Sequence, residues 1–425
     1  MNESPRRQLV HSRRSNLAAS PATRRHKPDY WILILVALLL SFGLVVVYSI
    51  SPGLAASQNI SQNYFITKQL IAVGLGFFTF WLGSTVKLNT WRKLAHPLAI
   101  IAVAGCLIVM VTPINALYPA HRWIRAAGFS FQVAELIKLS LLIAVSSFIG
   151  KAWQAGKISD SKQVLQPLIF LLLALGIVVA KFQSDLGSTG VMVAMIGMMA
   201  FTAGVPLRKI AMFGGLIVIL LVLAVASSSY RRDRLSTFLH PESNCLSTGY
   251  QECQALISVG SGGLFGLGLG NSVQAYGYLP EASNDSIFAI IAEKFGFIGT
   301  LGVLVIYGVF ITRLRMVIER TVDPFARLIV VGVMAWLSTQ MLINVGAMVG
   351  LLPLKGITLP LISQGGTSLI FLTAALGIVF HISRYTSYKV TEPEVGHEQN
   401  TTSNRFDGRG FRRTHNAPAV TRPRT

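Results

Sequence analysis

The sequence predicts an all-α polytopic membrane protein of about ten transmembrane helices, with a large extracytoplasmic loop between spans seven and eight. Three observations lead there. Of 425 residues, 52% are hydrophobic and only 13% charged, whereas a soluble domain carries about 25% charged residues. Apolar runs recur that approach the roughly 20 residues a helix needs to cross a bilayer. They are too long and continuous for barrel strands, and helices satisfy their own backbone groups in lipid. Finally, the net charge of +20 gathers at the chain ends and in alternate loops, the pattern of cytoplasmic segments.

Residues 1–30 form a basic cytoplasmic tail carrying Arg6, Arg7, Arg13, Arg14, Arg24, Arg25 and Lys27. A ten-span membrane domain, 31–385, follows. Spans one and two are expected at about 31–50 and 67–86, joined by a polar loop, 51–65. Lys87, Arg92 and Lys93 mark an inside loop before span three, about 97–113. An outside loop with His121, Arg122, Trp123 and Arg125 leads to span four, about 132–150. Lys151, Lys157 and Lys162 are inside, and spans five and six follow at about 164–181 and 188–204. Arg208 and Lys209 precede span seven, about 211–228.

The loop 229–285 then lies outside. The apolar stretch after it is too long for one untilted helix and is interrupted by Gly296, Gly299 and Gly302. It reads as a short re-entrant piece, about 286–293, and then span eight, about 295–312. Arg313, Arg315 and Arg320 are inside; span nine is about 325–348, an outside loop covers 350–366, and span ten is about 367–385. The basic tail 386–425 reads as disordered and returns the chain to the inside.

These features exclude several functions. No small-residue cleavage site with a soluble domain follows the first run, so that run is an uncleaved span. The basic tails suit anionic headgroups better than nucleic acid. No P-loop, zinc-spaced His/Cys cluster or Gly-x-Ser-x-Gly elbow occurs, so no nucleotide cofactor is expected. What remains is a set of carboxylates and arginines on the outer face. Arg122, Arg125, Arg231, Arg232 and Arg234 run against the positive-inside trend. Pairing with loop carboxylates would explain them, as would an anionic substrate, for which arginine offers bidentate phosphate contacts. A phosphate leaving group and a carboxylate base form a coherent transfer chemistry.

Asp285 sits where polar loop meets apolar helix. From spacing alone it reads equally as an N-cap and as a functional carboxylate. Glu281 follows Pro280 in a turn, and Asp185 reads first as a cap for span six. Glu135 and Lys138 share one face of span four, either as a buried ion pair or as part of a polar cavity. The glycines from Gly260 to Gly270 signal tight turns or close backbone packing. Cys245 and Cys253 share the outside loop and are a candidate disulfide, while Cys106 lies in an apolar run.

Read in order, the motifs resemble the SEDS (shape, elongation, division and sporulation) family from span one to span ten. Arg122-Trp123-Ile124, Phe131-Gln132 and Glu135-Leu136-x-Lys138 resemble one family motif, and Gln183-Ser184-Asp185-Leu186-Gly187 another. Tyr230-x-x-x-Arg234-Leu235, Phe238-Leu239-x-Pro241 and Gly249-Tyr250-Gln251 also fit. So do Gly270-Asn271-Ser272-Val273-Gln274 and Leu279-Pro280-Glu281-x-x-x-Asp285. The final signature is matched by Gly350-Leu351-Leu352-Pro353-x-Lys355-Gly356 and Leu359-Pro360-x-x-Ser363-x-Gly365-Gly366. Lys355 and the 270–274 motif look more like the division member than the elongation member. Departures are Val133-Ala134 for Pro-Ser, Ser184 for proline, Asn284 for threonine, Ser286 for phenylalanine, Gln364 for tyrosine, and Lys294 for an acidic residue.

The resemblance implies a peptidoglycan glycosyltransferase that polymerises lipid II at the outer face of a bacterial cytoplasmic membrane. Asp285 matches the family's essential aspartate, the expected general base. Arg122, Arg231, Arg234 and Lys355 become candidates to hold pyrophosphate, with Glu281 and Ser363 beside them as substrate-binding candidates. Glu135 and Lys138 match a buried charged pair and, with Asp185, shape the cavity. The resemblance further implies a divalent cation, Mg or Mn, at the pyrophosphate. It implies a class B penicillin-binding transpeptidase packed on spans eight and nine, and other divisome proteins at the septum. A lipid II flippase is the alternative from another class; charges on the outer surface favour chemistry there.

Overall fold

A computed structural model describes residues 23–25, 27–111, 123–126, 129–158, 160–176, 178–179, 185–226, 232, 236–241, 245–247 and 249–387. The described helices are α1 (Tyr30–Gln58), α2 (Tyr64–Thr85), α3 (Leu88–Val111), α4 (Val133–Gln154), α5 (Gln166–Leu175), α6 (Leu186–Thr202), α7 (Leu207–Ala226), α8 (Tyr250–Ser261), α9 (Ile287–Arg320), α10 (Pro324–Met348) and α11 (Gly366–Ile382). Two short antiparallel ribbons accompany them. β1 (Thr23–Arg25) pairs with β4 (Tyr385–Ser387), and β2 (Trp123–Ala126) with β3 (Phe129–Gln132).

Six of these helices, α1, α2, α3, α4, α9 and α10, are long and apolar enough to cross a membrane. Hydropathy alone suggests about ten. Three further apolar runs form shorter helices among the described residues: Lys162–Ala174, α6 and α11, each of 10–17 residues.

The helices divide into an inner and an outer set. In the most apolar stretch of α4, 89% is buried, against 22% in α3. Both helices are apolar, so burial separates them by neighbour: α4 is enclosed by protein and α3 presents Ile100, Val103, Leu107 and Ile108 outward. The enclosed helix carries the polar residues, Glu135, Lys138, Ser140, Ser146 and Ser147, since these are costly in lipid. α2 and α11 approach closely through small residues. A Cβ at Gly377 would fall 2.2 Å from the Phe80 carbonyl, and one at Gly83 2.5 Å from that of Ala374. Beside them, Thr79 bonds the Ile370 carbonyl and the Thr373 hydroxyl, each at 3.0 Å.

Several boundaries differ from the hydropathy reading. α1 runs through Pro52 to Gln58, where a polar loop is expected from 51. Leu54 and Ala55 bury on protein, and the left-handed Asn59 supplies the C-cap, its N–H reaching the Ala55 and Ala56 carbonyls. α3 begins at Leu88, so Arg92 lies on the helix, where it meets Asp323 at 3.4 Å. α9 extends to Arg320 but is broken at Gly296 (φ 66°, ψ −164°). The re-entrant piece and span eight are therefore two stacked helical segments, the first buried from Ile287 to Lys294 and the second presenting Phe297, Ile298, Leu301 and Val305 outward.

The glycine run explains how that break is tolerated. An unbroken helix would bond the N–H groups of 297 and 298 to the carbonyls of 293 and 294. Instead, Phe297 and Ile298 donate to the Gly263 and Leu264 carbonyls, while Glu293 and Lys294 accept from Leu267 and Gly268. The loop backbone replaces both missing bonds, as buried backbone requires. Only glycine fits so closely: a Cβ at Gly262 would sit 1.9 Å from the Ala292 carbonyl and one at Gly266 2.2 Å from that of Lys294.

Candidate active site

The site is assembled where the 279–286 turn, α10 and the 350–366 segment meet. Leu279 and Ala282 are buried anchors for the turn. Glu281 adopts the left-handed region (φ 52°), and its carbonyl accepts from the Asn284 and Ser286 N–H groups at 2.9 and 3.2 Å. The Asn284 amide donates to the Glu281 carboxylate at 2.5 Å. From below, Asn344 of α10 donates to the carbonyls of Asp285 and Ile357, each at 2.7 Å. One amide thus fixes the two chain segments that flank a small pocket lined by Asp285, Asn344, Met348, Leu354, Lys355 and Ile357.

Asp285 is not the cap of α9. Ser286 holds that position, with no side-chain cap bond. The Asp285 Oδ1 is buried without a hydrogen-bond partner. Burial first, and then the nearby Glu281 charge, push its carboxyl from 3.8 up to about 7. Hydrogen bonding from its own backbone, the Gln251 side chain and the Ser286 backbone opposes the rise without cancelling it. A carboxyl held near neutrality beside a pocket is suited to accept a proton.

Around this centre the motifs interlock. Gln251 of α8 donates to the Ser286 hydroxyl at 3.2 Å. A disulfide joins Cys253, also on α8, to Cys245. Glu293 accepts from the Ser272 hydroxyl and from the Val273 and Gln274 N–H groups at 2.9 and 3.3 Å, while Lys294 donates to the Leu269 carbonyl at 2.5 Å. On the opposite side Asp185 caps α6, accepting from the Ser188 N–H at 2.9 Å and from Gln132 at 3.2 Å. Gly187 lets α6 approach the pocket wall, since a Cβ there would meet Ile357 at 2.5 Å and the Lys355 Cβ at 3.1 Å.

Glu135 and Lys138 form a buried ion pair at 2.7 Å. Lys138 also reaches Gln340 of α10 at 3.3 Å. The Gln340 oxygen accepts from Trp336, and its amide donates to Thr358 and Ser368. The pair thus continues into a polar network that ends on Thr358, next to Ile357 in the pocket wall.

The structure brings Asp285 and Lys355 to one pocket, with the Glu281 charge acting on Asp285 from beside it; neither Glu281 nor Ser363 lines the pocket. Ser363 is buried, and its hydroxyl accepts from the Leu359 N–H at 2.7 Å. Arg122, Arg231 and Arg234 lie outside the described residues, as do the basic tails at 1–22 and 388–425. Four of the departures from the family pattern are accommodated locally: Asn284, Ser286 and Lys294 make the bonds given above, and Gln364 donates to the Phe65 carbonyl at 2.6 Å; Ser184 lies outside the described residues. Asn344 and Gln340 escape a sequence reading because they are uncharged amides within an otherwise apolar helix, although polar residues at membrane depth are a signal in themselves. Among the described residues no three His, Cys, Asp or Glu side chains gather as a metal site. Asp285 and Glu281 are a pair of carboxylates, too few for a protein-built Mg or Mn cage.

A family profile described as "Cell cycle protein", that of FtsW, RodA and SpoVE, matches residues 30–388. The chain belongs to this family, the SEDS proteins. It is 33% identical over 372 residues to stage V sporulation protein E of Bacillus subtilis, covering 86% of this chain and all of that relative. It is 36% identical over 369 residues to the probable peptidoglycan glycosyltransferase FtsW of Thioalkalivibrio sp., covering 85% and 90%. Among solved structures, the rod shape determining protein RodA of Thermus thermophilus aligns with a TM-score of 0.60 at 27% identity, covering 84% of this chain and 97% of that one. A chain from a peptidoglycan synthase complex that coordinates polymerization and crosslinking aligns at 0.66 and 26% identity, covering 84% and 98%.

Proposed function

We propose that this chain is a peptidoglycan glycosyltransferase that polymerises lipid II at the outer face of the cytoplasmic membrane, in the septal wall of a dividing bacterium. The observation that carries the mechanism is Asp285, a carboxyl raised to about 7 at a pocket shared with Lys355. The acceptor sugar's 4-hydroxyl attacks the donor's anomeric carbon. The new glycosidic bond forms as the bond to undecaprenyl pyrophosphate breaks, and Asp285 takes the hydroxyl proton. Lys355, with Arg122, Arg231 and Arg234, stabilises the departing pyrophosphate. Mg or Mn enters this proposal only as a companion of the substrate's phosphates, and no step is routed through it.

The same proposal puts both termini in the cytoplasm and the 229–285 loop outside. The Cys245–Cys253 disulfide supports that side, since such bonds persist in oxidising compartments. It includes a class B penicillin-binding transpeptidase on spans eight and nine. The name FtsW among the relatives favours division over elongation.

The test incubates purified protein, with its transpeptidase, and labelled lipid II in detergent. Wild type should yield glycan strands and Asp285→Ala none, a loss of at least about 100-fold for a general base. Equal polymer from the variant would remove Asp285 from the mechanism, and lipid transport without polymer would favour a flippase.

A further inference from the structure

The start of α1, the end of α9 and the end of α11 line a second cavity of about 380 Å³, open to solvent. Lys27, Asp29, Trp31, Arg313, Arg320 and Ile382 line it. Nothing in the proposed glycosyl transfer uses these residues. Arg313 and Arg320 have no ion pair among the described residues. The Arg313 guanidinium instead stacks on the Trp31 ring at 4.9 Å, with a long contact to the Met316 sulfur. The sole carboxylate of the lining, Asp29, is engaged at the N-terminus of α1, where it accepts from the Trp31 N–H at 3.1 Å. Its charge opposes an anion, but three cations face it.

Depth is the second observation. Tyr30 and Trp31 are 53% and 48% exposed at the first turn of a membrane helix. Such aromatics mark the headgroup level. The inner wall is half apolar, with Val317 and Ile382 beside the hydroxyl residues Thr321 and Ser383. A phosphate between guanidiniums, rimmed by interfacial aromatics and backed by a half-apolar wall with two hydroxyl residues, suits an amphiphile with a polar headgroup better than a free ion.

We infer that this cavity binds the phosphate of an anionic phospholipid, with Arg313 and Arg320 as its cationic clamp. Basic pockets between membrane helices recognise such headgroups, and arginine presents a planar donor fork to phosphate. Because the cavity joins the ends of α1, α9 and α11, the lipid would tie together three helices distant in sequence.

The experiment uses full-length protein in detergent and native mass spectrometry. Phosphatidylglycerol, phosphatidylcholine and inorganic phosphate are titrated separately against wild type and an Arg313→Gln/Arg320→Gln variant. Wild type should retain phosphatidylglycerol about tenfold or more over phosphatidylcholine, and the variant should lose that preference. An undiminished preference in the variant would overturn the assignment. Phosphate bound as tightly as the lipid would also overturn it, making the site one for a soluble anion. If the variant does not fold, wild type is irradiated with a phosphatidylglycerol carrying a photoreactive headgroup. Adducts at 27–31 or 313–321 support the site, and adducts confined elsewhere refute it. A failed polymerisation assay leaves this result untouched, since no substrate is present.

Discussion

Two helices of this protein bury an acid and a base close together, and they satisfy them in opposite ways. In α4, Glu135 and Lys138 are three residues apart, on one face, and pair with each other at 2.7 Å. In α9, Glu293 and Lys294 are adjacent, so their side chains diverge and cannot pair. Each reaches into the 262–286 loop instead. Glu293 uses both oxygens there, Oε2 on Ser272 and Oε1 on two backbone N–H groups. Glu135 uses Oε1 alone, and its Oε2 has no partner. A pair that meets within its own helix, with Gln340 beside it, ties that helix to α10. A pair that is satisfied by a loop shapes the loop, here the one that ends at Asp285.

The largest test of this difference is asymmetric truncation in α4. Lys138→Met leaves Glu135 buried without its cation and should destabilise the fold by about 3–5 kcal/mol. Glu135→Gln/Lys138→Met together should recover most of that loss, because it removes both buried charges. Thermal unfolding of the detergent-solubilised variants measures both. A double variant as unstable as the single one would mean that Gln340 and its network, not the partner charge, is what Lys138 requires.

The same logic applied to α9 predicts a different failure. Glu293→Gln keeps the shape and an acceptor for the backbone N–H groups but loses the charge assistance, about 1–2 kcal/mol in total. Because those bonds hold the loop, the loss should appear as faster amide exchange at Leu267–Gln274, with smaller change in the melting temperature than for Lys138→Met. Adding Lys294→Met should worsen it further, since Lys294 holds a different loop carbonyl. A rescue by the second substitution would refute the contrast with α4.

How far the sequence reveals this follows from the same residues. Glu135 and Lys138 are legible as a pair because helical periodicity converts a spacing of three into one face. Asp185 is legible as a cap for the same local reason. Glu293 and Lys294 are visible only as charges inside an apolar run, because their partners lie some 20 residues upstream in a segment without periodicity. Gly296 is legible as an interruption, but nothing local says that Gly263 and Leu264 carbonyls fill the break. The extent of α1 beyond Pro52 is hidden because polar residues at 57–58 face outward from a helix that protein contacts, not lipid, stabilise. Asp285 itself is ambiguous from spacing. Tertiary packing moves the cap to Ser286 and leaves the carboxylate at the pocket.

Asp285, half-buried with one oxygen enclosed, has neither solution: among the described residues no cation pairs with it, and its Oδ1 lacks a partner. Its carboxyl is therefore the one pushed up to about 7. The folded chain holds this proton more tightly than the unfolded chain, so the group costs stability as pH rises from 3.8 through about 7. Polymerisation should run the other way, with kcat/KM for lipid II rising through a limb near pH 7 as the base ionises. Glu281→Gln removes the smaller of the two causes and leaves burial in place. The limb should then move to lower pH by less than about one unit, with the maximal rate reduced little. A limb that stays fixed would show that Glu281 does not act on Asp285, and one that falls to the ordinary carboxylate range would show that charge rather than burial sets it.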